Sequence, residues 1–221
     1  MALFQPAGNV ENIARNQQKG DTHVDTSLVT TVNSTAALAP IPGRALAGGI
    51  VLRTGTLGGA TNDTTPDATT LVNLFASGDS MPSGGMAWRV RYINVASSQT
   101  VTLVGGTGVT VSGTATIANN TWREFIFEFV SAKLSFIGMG NTTNGSPTVQ
   151  MTFQDNHNYQ GARIEVGMTV TGTGIQAGTT VIGITPEAVI TLSQNANATG
   201  TGTTLTFGPA VTVTNVGAGT V

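Results

Sequence analysis

Alternating apolar and polar residues dominate the middle of the chain, and this period of two is typical of β-strands that bury one face. In the stretch MAWRVRYINV, Trp88, Val90 and Tyr92 fall on one face, whereas Arg89 and Arg91 fall on the other. The pattern predicts a strand whose aromatic and aliphatic side chains enter a core.

The heaviest apolar run follows in TWREFIFEFV. Phe125, Phe127 and Phe129 share one face, which predicts the centre of a core. The opposite face carries Glu124 and Glu128. If this strand neighbours the previous one, the two glutamates lie near its two arginines. We interpret them as cross-strand ion pairs, with an anionic ligand on the arginines as the alternative.

Short β-branched stretches between glycines predict further strands. They are GIVLRTGTL, TVTLV, GVTVSG, TATIAN and KLSFIGM, and later RIEVGMTVTG, GTTVIGI, AVITLS and TTLTF. In RIEVGMTVTG, the alternation places Ile164, Val166, Met168 and Val170 on one face. The tail PAVTVTNVGAGTV predicts one more strand, which has no obvious partner in its own module.

A helical period is convincing in one stretch of the body, PDATTLVNLFAS. Thr65 precedes Pro66 at the predicted first helical position, and Leu71, Leu74 and Phe75 form one apolar face. We therefore expect one short helix packed on a β body.

These elements predict an all-β protein with two small β-sandwich or barrel-like modules behind an extended N-terminal arm. The arm covers residues 1–45, and the first module covers residues 46–140. The composition of residues 141–148 predicts a linker, and residues 149–221 form a second small β module with the C-terminal strand.

The arm is too polar to form its own core, which is typical of a segment that docks on a neighbour. Strand addition suits SLVTTV, residues 27–32, because its β-branched side chains can extend a sheet in an adjacent subunit or in another protein. Seven apolar residues are the predicted partner-binding residues: Leu3, Phe4, Val10, Ile13, Leu28, Val29 and Val32.

Charge is scarce, at 9% of the 221 residues with a formal net charge of −2. The chain therefore lacks a basic field for nucleic acid or for an anionic membrane. It also has no run of about 18 apolar residues that would cross a bilayer. The first 21 residues lack the basic and apolar regions of a secretory signal. Weak self-repulsion favours assembly.

Groups suited to catalysis are few, and cysteine is absent. The two histidines are His23 in the arm and His157 in QDNHNY, where Asp155 can share a face with it. A polar surface loop is the favoured interpretation of this pair, and a metal ligand or general base is the alternative. GGTGVTVSG and TGTGI precede no helix and lack the lysine of a P-loop. We predict no enzyme activity, no cofactor and no metal site.

Four aromatic residues are candidates for a platform that stacks on sugar rings: Trp88, Trp122, Tyr92 and Tyr159. Because Trp88 and Tyr92 share a face with Val90, the core is the favoured interpretation for them. Glycan binding stays the alternative.

Residues 49–140 resemble the β domain of tailed-bacteriophage virion proteins, in particular capsid decoration (cement) proteins. The strand RYIN, the pair GTGVTVSGTATIA and the strand WREF carry the resemblance. The later stretch VGMTVTGTGIQAGTTVIGITPEAVITLSQNANATGTGTTLTF is similar to a β module of phage surface and fibre proteins.

The resemblance implies a non-enzymatic protein on the outer surface of a phage head, usually a trimer, that binds the major capsid protein and clamps adjacent capsomers. It implies a virion location after synthesis in the bacterial cytoplasm, and it carries no site residues. The alternative is a head- or tail-fibre subunit that recognises a host surface glycan. A weaker alternative is an accessory module of a secreted carbohydrate-active enzyme.

Overall fold

The computed structural model describes residues 29–76, 82–96, 98–152, 163–185 and 189–221. Over these residues the protein is an all-β fold of fifteen strands in three sheets, which confirms the predicted fold class. The strands are β1 (Val29–Asn33), β2 (Ile50–Thr54), β3 (Thr61–Thr64), β4 (Ala87–Asn94), β5 (Val101–Val104), β6 (Val109–Ser112), β7 (Thr116–Ile117), β8 (Thr121–Ser131), β9 (Phe136–Thr142), β10 (Thr148–Met151), β11 (Thr169–Gly172), β12 (Val181–Ile184), β13 (Val189–Leu192), β14 (Gly200–Gly208) and β15 (Ala210–Thr220). The helices of this part of the chain are α1 (Gly43–Ala47) and α2 (Ala68–Phe75).

The described chain divides into two compact units. The first contains the described residues up to Pro82 together with Met86–Glu128 and Thr212–Val221. The second contains Ser83–Gly85 and Phe129–Val211. The boundary falls inside β8 and inside β15, so the second unit is an insertion in the sequence of the first.

Residues 141–148, whose composition predicts a linker, instead form a hairpin turn within the second unit. They end β9, turn, and begin β10 at Thr148. The turn is fixed by a hydrogen bond from the backbone N of Gly145 to the carbonyl oxygen of Ala196, at 2.8 Å. Glycine is required at position 145 because its φ is +80°. The Asn- and Gly-rich composition therefore marks a tight turn and not a domain boundary.

The main sheet of the first unit has six strands in the order β1-β2-β4-β8-β15-β6. β1 and β2 are parallel, as are β2 and β4, whereas β4 and β8 are antiparallel. Trp88, Val90 and Tyr92 are buried, as the alternation predicts, and so are Phe125 and Phe127. Trp88 lies opposite Phe127 with ring centroids 5.1 Å apart, so this aromatic stack is part of the core.

β15 contains the tail strand for which the sequence offered no partner in the second module. Residues 212–220 of this strand belong to the first unit, between β8 and β6. The smaller sheet β3-β5-β7 also lies in the first unit.

α2 lies where the helical period predicts it, but it begins at Ala68 and not at Pro66, the predicted first helical position. Asp67 is the cap, and its carboxylate accepts a hydrogen bond from the backbone N of Thr70 at 2.7 Å. The hydroxyl of Thr65 instead accepts from the backbone N of Gly106 at 2.9 Å. Leu71 and Phe75 are buried, as expected. Neither described helix has the length or apolar character needed to cross a bilayer.

The last part of the predicted arm is integrated into the first unit. Val29–Asn33 form β1, which pairs with β2 of the same chain. Ile41, Ala45 and Leu46 are fully buried. An extended arm over the whole of residues 1–45 is therefore wrong for residues 29–45, because their apolar side chains complete the core of their own chain.

The second unit contains one curled sheet in the order β11-β14-β9-β10-β13-β12. Its two edges meet again, since the backbone N of Gly167 donates to the carbonyl oxygen of Val181 at 2.8 Å and that of Val170 donates to Thr179 at 2.9 Å. The core side chains inside this curl include Phe136, Val149, Met151, Ile164, Met168, Val170, Val181, Ile190, Leu192, Leu205 and Phe207.

Val166 departs from the predicted alternation. Ile164, Met168 and Val170 are buried, but the side chain of Val166 is 55% exposed. The strand begins only at Thr169, and Gly167 before it has a φ of +95°. A left-handed residue breaks the period of two, so the prediction for Val166 is wrong.

Candidate functional site

The residues considered for acid–base chemistry lie outside the described part of the chain. These are His23, Asp155 and His157, and the aromatic Tyr159 lies there too. Among the residues that the structure describes, no group of three or more His, Cys, Asp or Glu side chains is placed to hold a metal ion.

The predicted partner-binding residues divide at β1. Leu3, Phe4, Val10, Ile13 and Leu28 precede the described residues, so their structural roles stay predictions. Val29 and Val32 lie in β1, where Val29 is 50% exposed. β1 stands first in its sheet, and across the described ranges no strand pairs with its second edge. That edge presents backbone donors and acceptors to a further strand.

A buried ion pair supports this edge strand from within the first unit. Arg53 on β2 and Asp63 on β3 are both fully buried, with Nε of the guanidinium 2.9 Å from Oδ2 of the carboxylate. The hydroxyl of Tyr92 donates to the same carboxylate oxygen. Burial, followed by the negative charge of Asp63, raises the pKa of Tyr92 far above its usual value near 10.

The backbone following β1 adds three hydrogen bonds to this network. Arg53 donates from Nη1 to the carbonyl oxygen of Ser34 at 2.7 Å and from Nη2 to that of Ala36 at 2.6 Å. The backbone N of Leu38 donates to Oδ1 of Asp63 at 2.8 Å. The two charged side chains thus hold residues 34–38 in place. Arg53 and Asp63 were not predicted as buried residues, although Arg53 lies two positions from the buried Val51 and so on the same face of its strand.

The outer face of β4 and β8 carries the predicted cross-strand ion pairs. Glu124 accepts from Nη1 of Arg89 at 2.6 Å and from Nη2 of Arg91 at 3.1 Å. The prediction of cross-strand pairing is confirmed for Glu124. Glu128 lies opposite Ala87 in the register, at the end of the paired region.

Trp122 extends this outer face toward β15. The guanidinium carbon of Arg91 lies 4.5 Å from the centroid of the indole, in cation–π geometry. A Cβ atom added to Gly219 would come within 2.7 Å of two indole carbons, so the ring rests directly on the β15 backbone. We call Arg89, Arg91, Trp122 and Glu124 the arginine–tryptophan surface. Of the proposed sugar platform, Trp88 and Tyr92 are buried in the core.

The second unit exposes several large aliphatic side chains. Ile137 on β9 is 66% exposed, and Ile182 on β12 is 56% exposed. Their surroundings on these strands are threonines and other uncharged residues, such as Thr206 opposite Ile137. This composition suits contact with another protein surface better than it suits catalysis.

Neither a scan against protein-family models nor a search of curated proteins gives a match to this chain.

Proposed function

We propose that the protein is a non-enzymatic virion structural protein, a capsid decoration protein of a tailed bacteriophage. It binds the outer surface of the head through the major capsid protein and stabilises adjacent capsomers. It is made in the bacterial cytoplasm and resides in the virion. No cofactor, nucleic acid or membrane takes part in this function.

The observation that carries the proposal is the open edge of β1 and its rigid support. β1 directly follows a segment of 28 residues that contains five of the seven predicted partner-binding residues. The buried Arg53–Asp63 pair fixes the backbone immediately after β1. An edge strand held at one end can accept a strand of the capsid protein with little ordering cost, because its own backbone is already extended.

A homotrimer would strengthen this attachment. The low content of charged residues and the exposed Ile137 and Ile182 favour contacts between copies. Three attachment segments in one assembly bind together, so that a modest single contact becomes strong through effective concentration. Sedimentation should give about three times the 22.5 kDa mass of the chain. A monomer that persists on dilution contradicts this part of the proposal.

Attachment is tested by cosedimentation with undecorated heads of the phage that encodes the protein. The full chain should sediment with the heads, whereas a chain beginning at Leu28 should fold but bind at least tenfold more weakly. Circular dichroism and sedimentation of the shortened chain serve as the folding control. Equal binding of the two chains would overturn the role of residues 1–27 and leave the open edge of β1 as the attachment element.

A fibre subunit that recognises a host glycan is the second candidate, and the arginine–tryptophan surface is the observation that favours it. Band intensities from purified virions separate the two functions. A decoration protein should be present in hundreds of copies per virion and a fibre subunit in tens.

A further inference from the structure

The arginine–tryptophan surface has more positive than negative charge. Two guanidinium groups share the single carboxylate of Glu124. The side chains of Arg89 and Arg91 are 68% and 45% exposed, compared with 18% for Glu124. A guanidinium has five N–H donors, and the contacts with Glu124 use one nitrogen of each. Most donors of this pair are therefore not used by Glu124.

The geometry of the two arginines is fixed in advance. Glu124 holds both side chains, and the indole of Trp122 supports the guanidinium of Arg91 from one side. Such support reduces the rotamer entropy that two long side chains lose when they bind an anion.

The remaining charge on this face lies at its far end. Trp122 pairs with Ile93 at one end of the β4–β8 ladder, and Glu128 pairs with Ala87 at the other. Six residues of strand separate Trp122 from Glu128, which corresponds to roughly 20 Å. On the β15 side, Gly217 and Gly219 adjoin Trp122 and carry no charge. Glu124 is therefore the nearest side-chain carboxylate on these strands to an anion beside Arg91 and Trp122. Glu128 lies beyond Arg89, two positions along β8 from Ile126, which pairs with Arg89.

We propose that the arginine–tryptophan surface binds a carboxylate-bearing saccharide, such as a polymer that contains uronic acids. The sugar carboxylate bonds to the guanidinium groups of Arg89 and Arg91, whose planar forks match its two oxygens. The apolar C–H groups of the sugar ring lie against the rim of the Trp122 indole, and Glu124 accepts a hydrogen bond from a sugar hydroxyl. This function is additional to capsid attachment and shares no residue with β1.

A saccharide fits this face better than a protein partner does. A stable protein interface buries about 800 Å² on each side around an apolar centre. Here the centre is charged, and the strand beside Trp122 has glycine at positions 217 and 219. Guanidinium donors beside one aromatic ring suit a sugar ring that carries a carboxylate.

Fluorescence of the two tryptophans provides the test. Trp88 is buried, so a change in emission on adding ligand reports on Trp122. The full chain is titrated with tetragalacturonate, with neutral tetragalactose and with poly-L-glutamate. We expect saturable quenching with tetragalacturonate alone. Arg91→Ala and Arg89→Ala should each raise the apparent Kd at least about tenfold, which corresponds to 1.4 kcal/mol.

Arg44→Ala is the matched control, because Arg44 is an exposed arginine on α1 and its loss changes the net charge equally. This variant should bind like the unchanged chain, and thermal melts confirm that all three variants fold. An equal loss in all three variants indicates general attraction to polyanions and overturns the proposal. Binding of poly-L-glutamate with the same affinity as tetragalacturonate would assign the surface to an acidic peptide and overturn the proposal. The absence of saturable binding by any of the three ligands would also overturn it.

Discussion

Arg53 and Asp63 form an ion pair with both side chains fully buried. Removing two charges from water costs several kcal/mol per ion, and this cost is offset only when their other donors and acceptors are satisfied. Here backbone carbonyls of Ser34 and Ala36 accept from the guanidinium, and the backbone N of Leu38 donates to the carboxylate. The pair therefore specifies where residues 34–38 lie in the first unit.

Asp63→Asn should destabilise the protein by about 3–5 kcal/mol, because it leaves the buried Arg53 without a counter-charge. The free energy of unfolding from urea titration checks this value. Glu124→Gln is the control, since it removes a carboxylate from an exposed ion-pair cluster. Its cost should stay below about 1 kcal/mol. Equal costs for the two variants would contradict the role of the buried pair.

The protein should become less stable at alkaline pH, because Tyr92 ionises more readily in the unfolded chain than in the folded protein. Because its pKa is raised in the folded protein, the folded state keeps the phenol neutral, whereas the unfolded chain ionises near pH 10. The stability that the neutral Tyr92 phenol contributes is fully present below about pH 10. Above that pH the free energy of unfolding falls by up to about 1.4 kcal/mol per pH unit. Urea midpoints at pH 8 and pH 11 measure the loss.

Tyr92→Phe isolates this titration. The variant loses the hydrogen bond to Asp63 at every pH, so its absolute stability should fall. The difference in stability between pH 8 and pH 11 should nevertheless become smaller. If the stability difference between pH 8 and pH 11 is the same in the variant, a group other than Tyr92 causes the loss of stability.

Gly219→Ala should cost about 1–3 kcal/mol, because the new Cβ meets the indole of Trp122 and the ring has to move. In a Trp122→Ala background the same change should cost less than about 0.5 kcal/mol, so a double-mutant cycle measures the contact. Gly58→Ala is the control, since nothing lies within 4 Å of its added Cβ. Additive effects of Trp122→Ala and Gly219→Ala would show that the ring does not rest on β15.

Two shortened chains distinguish attachment from folding. A chain that begins at Leu28 keeps β1 and every other described element. Its free energy of unfolding should therefore lie within about 1 kcal/mol of that of the full chain. A chain that begins at Ala45 loses β1, the buried Ile41 and three backbone partners of the Arg53–Asp63 pair. It should be unstable or unfolded at 25 °C. Similar melting temperatures for the two chains would refute the integration of residues 29–44.

Period-two patterns predicted the strands with one apolar and one polar face. For β4 and β8, the alternation gave both the buried aromatic residues and the outward Arg89, Arg91 and Glu124, because each of these residues sits on the face that its polarity prefers. The same reasoning assigned Trp88 and Tyr92 to the core, where they lie, and left Trp122 as a candidate for the sugar platform.

Other features depend on contacts distant in sequence. Arg53 is charged, so polarity alone places it outside, and its burial depends on Asp63 and on carbonyls that only the fold brings near. The partner strands of β15 could not be found locally, because β8 and β6 precede it by many residues. Val166 shows the opposite failure, since one left-handed glycine at position 167 interrupts a local pattern.

The insertion of the second unit between β8 and β15 affects the order of folding. An unfolded loop as long as Phe129–Val211 adds about 4 kcal/mol of closure entropy to the pairing of these two strands. The contacts of the second unit lie within a continuous stretch, apart from Ser83–Gly85, and can form without the first. Once they form, that loop is already ordered, and β8 and β15 pair at a smaller entropic cost. We therefore expect the main sheet of the first unit to be completed after the inserted unit has folded.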